Sequence, residues 1–404
     1  MSNLNTHELK QKKYELHLLE ALATEDDDLI EKLFELGVDI NKTYSDGETP
    51  LYKAVEQGSK NIVDKLIKLG VDINKSNELN SKISPLFAAT IHNDMYFIKA
   101  LLEANAEINL QNANGATPIF YAAKYGNSSV IKFLESKGAN INKIMVDGSI
   151  PLFHAAIYGQ DRAIETLHNL GVDVNQPNEK HGMCAIHYAA HKDHVEAIAK
   201  IVELGGEVDK ICHNGFTALH FATQYGHVES IETLVECGAN ICHANPEGLT
   251  AFHFAAIQGN NHVMKTLLDF GMDVNFCSND KFLTPMHAAT KMGNHESIEF
   301  LFKNKAELNT KMYNGNNCLH IATNENHEKV VQTLINLGIN IDDMNMNDET
   351  ALNIAEKKKF KTIIKILKNS KKKTGTKAQK KSSKKKENVD TTECDEIRVC
   401  QPCK

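Results

Sequence analysis

Residues Asn214 to Cys242 read NGFTALHFATQYGHVESIETLVECGANIC, and nearly every position in that stretch recurs elsewhere in the chain at a fixed offset. The Pro, Ala or Cys that opens each unit's first apolar run falls at Pro50, Pro85, Pro118, Pro151, Ala185, Ala218, Ala251, Pro285, Cys318 and Ala351. The successive steps are 35, 33, 33, 34, 33, 33, 34, 33 and 33 residues. So regular a period predicts a stacked array, because one such unit cannot bury its own hydrophobic face and needs neighbours on both sides.

The units carry TPLYKAV from Thr49, TPIFYAA from Thr117, TALHFAT from Thr217, TPMHAAT from Thr284, and GVDIN from Gly37 and Gly70. On these motifs the chain resembles the ankyrin repeats over roughly residues 14–369. The resemblance implies an all-α solenoid of about ten helix-turn-helix repeats with hairpin loops, plus an N-terminal cap. Each unit then reads as a tight turn, two short antiparallel helices and a protruding hairpin. Paired small residues such as Ala122 and Ala123, or Ala255 and Ala256, allow close approach of neighbouring first helices. Gly126, Gly159, Gly226 and Gly259 permit the reversal into the second helix. The second helix has apolar residues at helical spacing, as in Val228, Ile231, Leu234 and Val235, and stops at a Gly such as Gly238.

The ends depart from the pattern. Residues 1–13 are polar and expected to be disordered. Residues 14–45 keep the period but lack the opening TPL motif, which marks an N-terminal capping repeat with Glu20, Glu25, Asp26, Asp27, Asp28 and Glu31 facing solvent. Residues 46–369 form the array; its last unit packs Phe360, Ile363, Ile364 and Leu367 inward and turns lysines to water. Residues 370–404, a Lys-rich tail ending in Cys394, Cys400 and Cys403, are too charged to bury a core and read as disordered. Insertions fall only in hairpins: two residues within Lys75–Ser84, one within Gln176–Cys184 and one within Phe276–Thr284. The first of these has lost its turn Gly and has the least predictable conformation.

Residues 357–404 carry 17 Lys and Arg against 5 Asp and Glu, whereas residues 1–356 carry 28 against 47, so a body of net charge −19 is joined to a tail of +12. No run approaches the roughly 20 apolar residues that cross a bilayer, and the N-terminus lacks an apolar signal core. Nine Cys without a shared spacing read as small buried side chains in a reducing compartment. A soluble monomer in the cytoplasm or nucleus is therefore expected.

No phosphate loop, HExxH zinc helix or GxSxG elbow is present, and no enzyme activity or cofactor is expected. Cys212 and His213 lie 30 residues before Cys242 and His243, but a metal centre needs four converging ligands and hairpin tips are exposed, so no metal is expected. His187, His220, His253, His287 and His320 share one repeat position, which the resemblance makes structural, with the imidazole bonded within the turn. His194, His227 and His327 share the position that opens the second helix.

The resemblance also implies that a partner protein contacts residues flanking the turn Gly and the pair before the inter-helix Gly, which line a concave surface. On this chain those positions hold Lys124, Tyr125, Ile157, Tyr158, Gln224, Tyr225 and Ile257 on the helices, and Phe216 and Leu249 on the turn side. Exposed aromatic groups of this kind dominate interface energies, at about 2 kcal/mol or more for a hot spot. The alternative reading of the tyrosines is that they cover helix ends. The expected function is a non-catalytic scaffold or adaptor, and the alternative is a nuclear or nucleic-acid-associated regulator. KNSKKK and KKSSKKK in the tail resemble a bipartite signal for a nuclear import receptor, would equally contact an anionic polymer or lipid, or serve as a solubilising flank. The terminal Cys pair lacks the ligands for a closed zinc site. By resemblance alone, hairpin Asn41, Asn74, Asn109, Asn142, Asn175, Asn275 and Asn309 are potential substrates of an asparaginyl hydroxylase.

Overall fold

The computed structural model describes residues 6–77, 82–277 and 282–381, and among them the secondary structure is helical, with a single isolated bridge between Ala244 and Thr250. Packing divides the chain into two units, residues 1–207 and 208–404. The first unit holds α1 (Thr6–Thr24), α2 (Asp27–Glu35), α3 (Pro50–Gln57), α4 (Lys60–Lys68), α5 (Pro85–Ile91), α6 (Met95–Glu103), α7 (Pro118–Lys124), α8 (Ser128–Ser136), α9 (Pro151–Ile157), α10 (Asp161–Asn169), α11 (Ala185–His191) and α12 (Val195–Glu203). The second holds α13 (Ala218–Tyr225), α14 (Val228–Glu236), α15 (Ala251–Gln258), α16 (Asn261–Asp269), α17 (Pro285–Met292), α18 (His295–Lys303), α19 (Cys318–Asn324), α20 (Glu328–Leu337), α21 (Ala351–Lys358) and α22 (Lys361–Lys381). These are the expected ten helix pairs after a capping pair.

Local chemistry fixes each pair. Thr49 caps α3 by accepting the Tyr52 N–H at 3.2 Å, Pro50 occupies the first helical position where no N–H is needed, and Gly58 ends the helix at φ +77°. That left-handed residue is required between the helices of every unit after the cap's own Glu25. Where Gly is absent, Asn93, Asp193, Asn326 and Lys359 adopt it at φ +56° to +61°.

Within each unit the first helices stack on one another and the second helices on one another. Ala88, Ala89, Ala122, Ala123, Ala155, Ala156, Ala189 and Ala190 are fully buried in the first unit, as are Ala255, Ala256, Ala289 and Ala322 in the second. Side chains this small are what let short helices approach closely. The dry seam is completed by second-helix triplets such as Val130, Ile131 and Leu134 or Val330, Val331 and Leu334. Truncating one of these leucines to Ala would cost about 2–5 kcal/mol.

Hairpins are tied from one repeat to the next. Asn41, Asn74, Asn109 and Asn175 each accept, through Oδ1, the backbone N–H of the residue 31 to 33 positions on, at 2.7–2.8 Å. Asn275, Asn309 and Asp209 do the same in the second unit at 2.8–3.0 Å. These side chains are inter-repeat ties. Of the lengthened loops, the one at Gln176–Cys184 closes on Asn178, whose N–H donates to Met183 O at 2.8 Å and whose Oδ1 accepts from the Lys180 and His181 N–H groups. Residues 78–81 and 278–281 of the other two lie outside the described residues.

Both ends are more helical than the sequence suggested. The first helix begins at Thr6, inside the segment expected to be disordered, because Glu8, Leu9, Lys10 and Gln11 favour helix and run into a packed stretch with Leu18, Ala21 and Leu22 buried. Acidic residues of the cap reach the next repeat instead of simply facing water: Ser59 Oγ donates to Glu25 at 2.6 Å, and Lys65 pairs with Glu31 at 2.6 Å. At the other end α22 continues past Ser370, with Ile363 and Leu367 buried and Phe360 and Ile364 half-buried. Residues 382–404, including most of the second Lys run, Cys394, Cys400 and Cys403, lie outside the described residues. Of the remaining cysteines Cys184, Cys212 and Cys318 are buried, while Cys237, Cys242 and Cys277 are half-buried. Among the described residues no helix is long and apolar enough to cross a membrane.

Candidate partner-binding face

The recurrent histidines form the inner frame of the face. In the second unit the Nδ1 atoms of His220, His253, His287 and His320 accept the N–H of Thr217, Thr250, Thr284 and Asn317 at 3.2–3.3 Å. Nε2 therefore carries the proton, and it donates to a carbonyl of the following hairpin: Leu249, Leu283, Thr310 and Glu349, at 3.0–3.3 Å. Burial pushes the pKa of His220, His253 and His287 down to about 4, against the smaller opposing effect of the carbonyl each donates to. These rings are neutral structural pins, and His187 fills the same place in the first unit, accepting the Cys184 N–H at 3.0 Å. His194 and His327 also tie repeats together, through Nε2 to Ile157 O and Lys291 O at 2.8 and 3.0 Å.

In the first unit, Tyr125 and Tyr158 directly follow α7 and α9 and are each 45% exposed, which is high for an aromatic ring on a well-packed scaffold. Between them stands Lys124, with its Nζ 4.8 Å from the Tyr158 ring centroid, 5.2 Å from that of Tyr125 and 6.0 Å from that of Tyr121. Burial works to lower the Lys124 pKa, but the tyrosines outweigh it and the net shift is upward, so the ammonium is firmly charged. Ile157 is half-buried beside Tyr158. The structure thus brings Lys124, Tyr125, Ile157 and Tyr158 together.

The second unit holds the other five expected residues. Tyr225 is 51% exposed and stacks on His227, with ring centroids 5.9 Å apart; Gln224 is exposed beside it and its carbonyl accepts from Gln258 Nε2 at 2.6 Å. Phe216 is less free than the sequence suggested. Its ring is half-buried, stacked on His220 at 5.3 Å and against Phe254 at 5.0 Å, so it supports the face more than it projects from it.

Leu249 and Ile257 line a groove of about 590 Å³ between the hairpins and the first helices. Phe254, Leu283, Met292, Met312 and Ile321 complete its apolar wall, and Glu247, Lys291 and Glu325 stand at its polar margin. Met292, 52% exposed, occupies the same pre-Gly position as Tyr225. Phe254, Leu283, Met312 and Ile321 escaped the sequence reading. The signal for them was only the register of the repeat, since Met312 precedes Gly315 by three residues just as Cys212 precedes Gly215. Among the described residues, no group of three or more His, Cys, Asp or Glu side chains is placed to hold a metal ion.

A family model agrees with this architecture. The family model described as ankyrin repeats (3 copies) matches residues 18–112, 86–178, 152–245, 237–312 and 307–379. A crystal structure of the ankyrin repeat domain of Bcl-3, described as a unique member of the IkappaB protein family, is similar at 24% identity. The alignment covers 52% of this chain and 94% of that one, with a TM-score of 0.47. No curated protein matches.

Proposed function

The chain belongs to the ankyrin-repeat family, whose repeats are protein-interaction modules, and from that premise we propose that it is a non-catalytic scaffold or adaptor of the cytoplasm or nucleus. Its partner protein lies against the first helices and hairpins. The observation that carries this reading is the open, mainly apolar groove of about 590 Å³ in the second unit. Exposed aromatic and Met side chains at the same repeat positions in both units support it. The excess of acid over base in residues 1–356 speeds encounter with basic partner surfaces.

The test is a variant with Tyr125→Ala, Tyr158→Ala, Tyr225→Ala and Met292→Ala, compared with the parent chain in quantitative capture of partners. All four side chains are exposed, so the fold is expected to survive. Binding should fall by at least about tenfold, as loss of one hot spot already requires. Unchanged capture of every partner would reject the face. The +12 charge of residues 357–404 carries the second reading, in which the tail contacts an import receptor or nucleic acid. Phosphate contacts predict steep weakening with salt, and salt-independent binding would remove the nucleic-acid form of it.

A further inference from the structure

A cavity of about 110 Å³ opens in the first unit between the hairpin at Asn112–Ala116 and α7, and its polar lining is Asn112, Asn114, Tyr121, Lys124 and His154. Asn112 is buried, and its Oδ1 is committed to the N–H groups of Asn114 and Ala116, both at 3.0 Å. Its Nδ2 is thereby aimed at Tyr121 Oη, 3.2 Å away, which must accept. The Tyr121 proton is left to point elsewhere, and Tyr121 lines the cavity. The Tyr121 ring is held in place edge-on to Phe87, with centroids 5.4 Å apart.

Lys124 lines the same cavity. Its ammonium is surrounded by the three tyrosine rings already described and is hydrogen-bonded to Tyr158, and among the described residues it forms no ion pair with a carboxylate. Asp147, in the hairpin that follows, accepts the Ser149 N–H at 2.9 Å and acts electrostatically on His154 at the cavity wall without pairing with Lys124. A positioned ammonium with no carboxylate partner among the described residues, beside a phenol whose oxygen already accepts, is a preformed seat for an anion. It is unusual on a body of net charge −19.

We propose that this cavity takes a side-chain carboxylate of a partner protein, Asp or Glu, which accepts from Lys124 Nζ and Tyr121 Oη. One fixed positive charge matches a monoanion, and the tyrosines around it would pack on the residues flanking that acid. The partner is then basic over its broad surface and carries one acidic anchor. This inference rests on the partner lying along the face proposed above, and it adds the chemistry by which that face recognises it.

The test uses the full chain with tyrosine rings labelled for NMR and two capped tripeptides as probes, Ala-Glu-Phe and its isostere Ala-Gln-Phe. The Glu peptide should shift the Tyr121 and Tyr158 signals and bind at least about tenfold more tightly than the Gln peptide, as a charge-assisted pair requires. Lys124→Gln should remove that preference without changing the melting temperature, and Tyr121→Phe should remove it at a lower melting temperature, because the buried Asn112 Nδ2 then loses its acceptor. Equal binding of the two peptides, or a preference that survives both substitutions, would overturn the proposal. Failure here is separable from failure of the face. Peptides binding alike while the four-residue variant still loses its partners refutes the carboxylate seat alone. A Glu preference alongside unchanged partner capture refutes the face and leaves the seat.

Discussion

Thr223 and Thr323 stand at the second position of the small-residue pair that opens the way between neighbouring helices, a position that Ala123, Ala156, Ala190 and Ala256 fill in other repeats. Each is fully buried, and each hydroxyl lacks a hydrogen-bond partner, whereas Thr90 and Thr290 at the same position donate to the carbonyls of Leu86 and Met286 at 2.7 Å. An unsatisfied buried hydroxyl costs roughly 1–3 kcal/mol. Thr223→Ala and Thr323→Ala should therefore raise stability by about 1 kcal/mol each, read as a higher urea midpoint, while Thr290→Ala should lower it. A lower midpoint for Thr223→Ala would contradict the assignment of that hydroxyl as an orphan. At this scale recurrence made the histidine role legible, since a residue repeated at the scaffold's own period serves the scaffold. The packing of Phe216 was not legible, because it depends on Phe254 one repeat further on, and no local pattern links the two.

Turns and hairpins are where an element is made or lost. Gly315, at φ +77°, runs so close to the next hairpin that an added Cβ would sit 2.7 Å from Met346 N, whose N–H donates to Asn314 O at 3.1 Å. Gly315→Ala should cost about 2 kcal/mol, from the left-handed backbone and from the backbone it would push aside. Lys305 presents the converse case: it ends α18 at φ +71°, where Gly205 and Gly338 hold the same place after α12 and α20. Lys305→Gly should add roughly 0.5–1 kcal/mol, because relief of the left-handed strain outweighs the larger entropy of an unfolded glycine. Thermal melts of the two variants should move in opposite directions, and a shared direction would show that backbone conformation does not control these turns. Helix spans and the Gly turns were readable from sequence because they rest on contacts within a few residues. The Asn ties between hairpins were not, because each joins residues about a full repeat apart.

At the level of the whole molecule, the residue after each opening triplet divides the chain. It is Tyr52, Phe87, Phe120, Phe153 and His187 in the first unit, and His220, His253, His287, His320 and Asn353 in the second. Folding lowers the pKa of His220, His253 and His287 from the ordinary 6.5 to about 4, so the stability tied to their neutral state is complete above about pH 6.5 and drains away as pH falls towards 4. At pH 5 the loss is about 2 kcal/mol for each such ring. In the first unit His154 is lowered by burial, against an opposing effect of Asp147. Site-resolved hydrogen exchange, corrected for intrinsic rates, should show α13–α20 losing protection between pH 7 and pH 5 before α3–α10. The opposite order would show that the histidine pins do not govern acid stability. The amino-acid sequence by itself determined the period, the helix pairs and the Gly turns between them, because a repeat solves the same local problem each time and writes the solution in the same residues. Only the tertiary structure decided which exposed positions enclose a groove, which aromatic ring is already spent on packing and which tyrosine rings surround Lys124, because each depends on side chains that become neighbours through stacking.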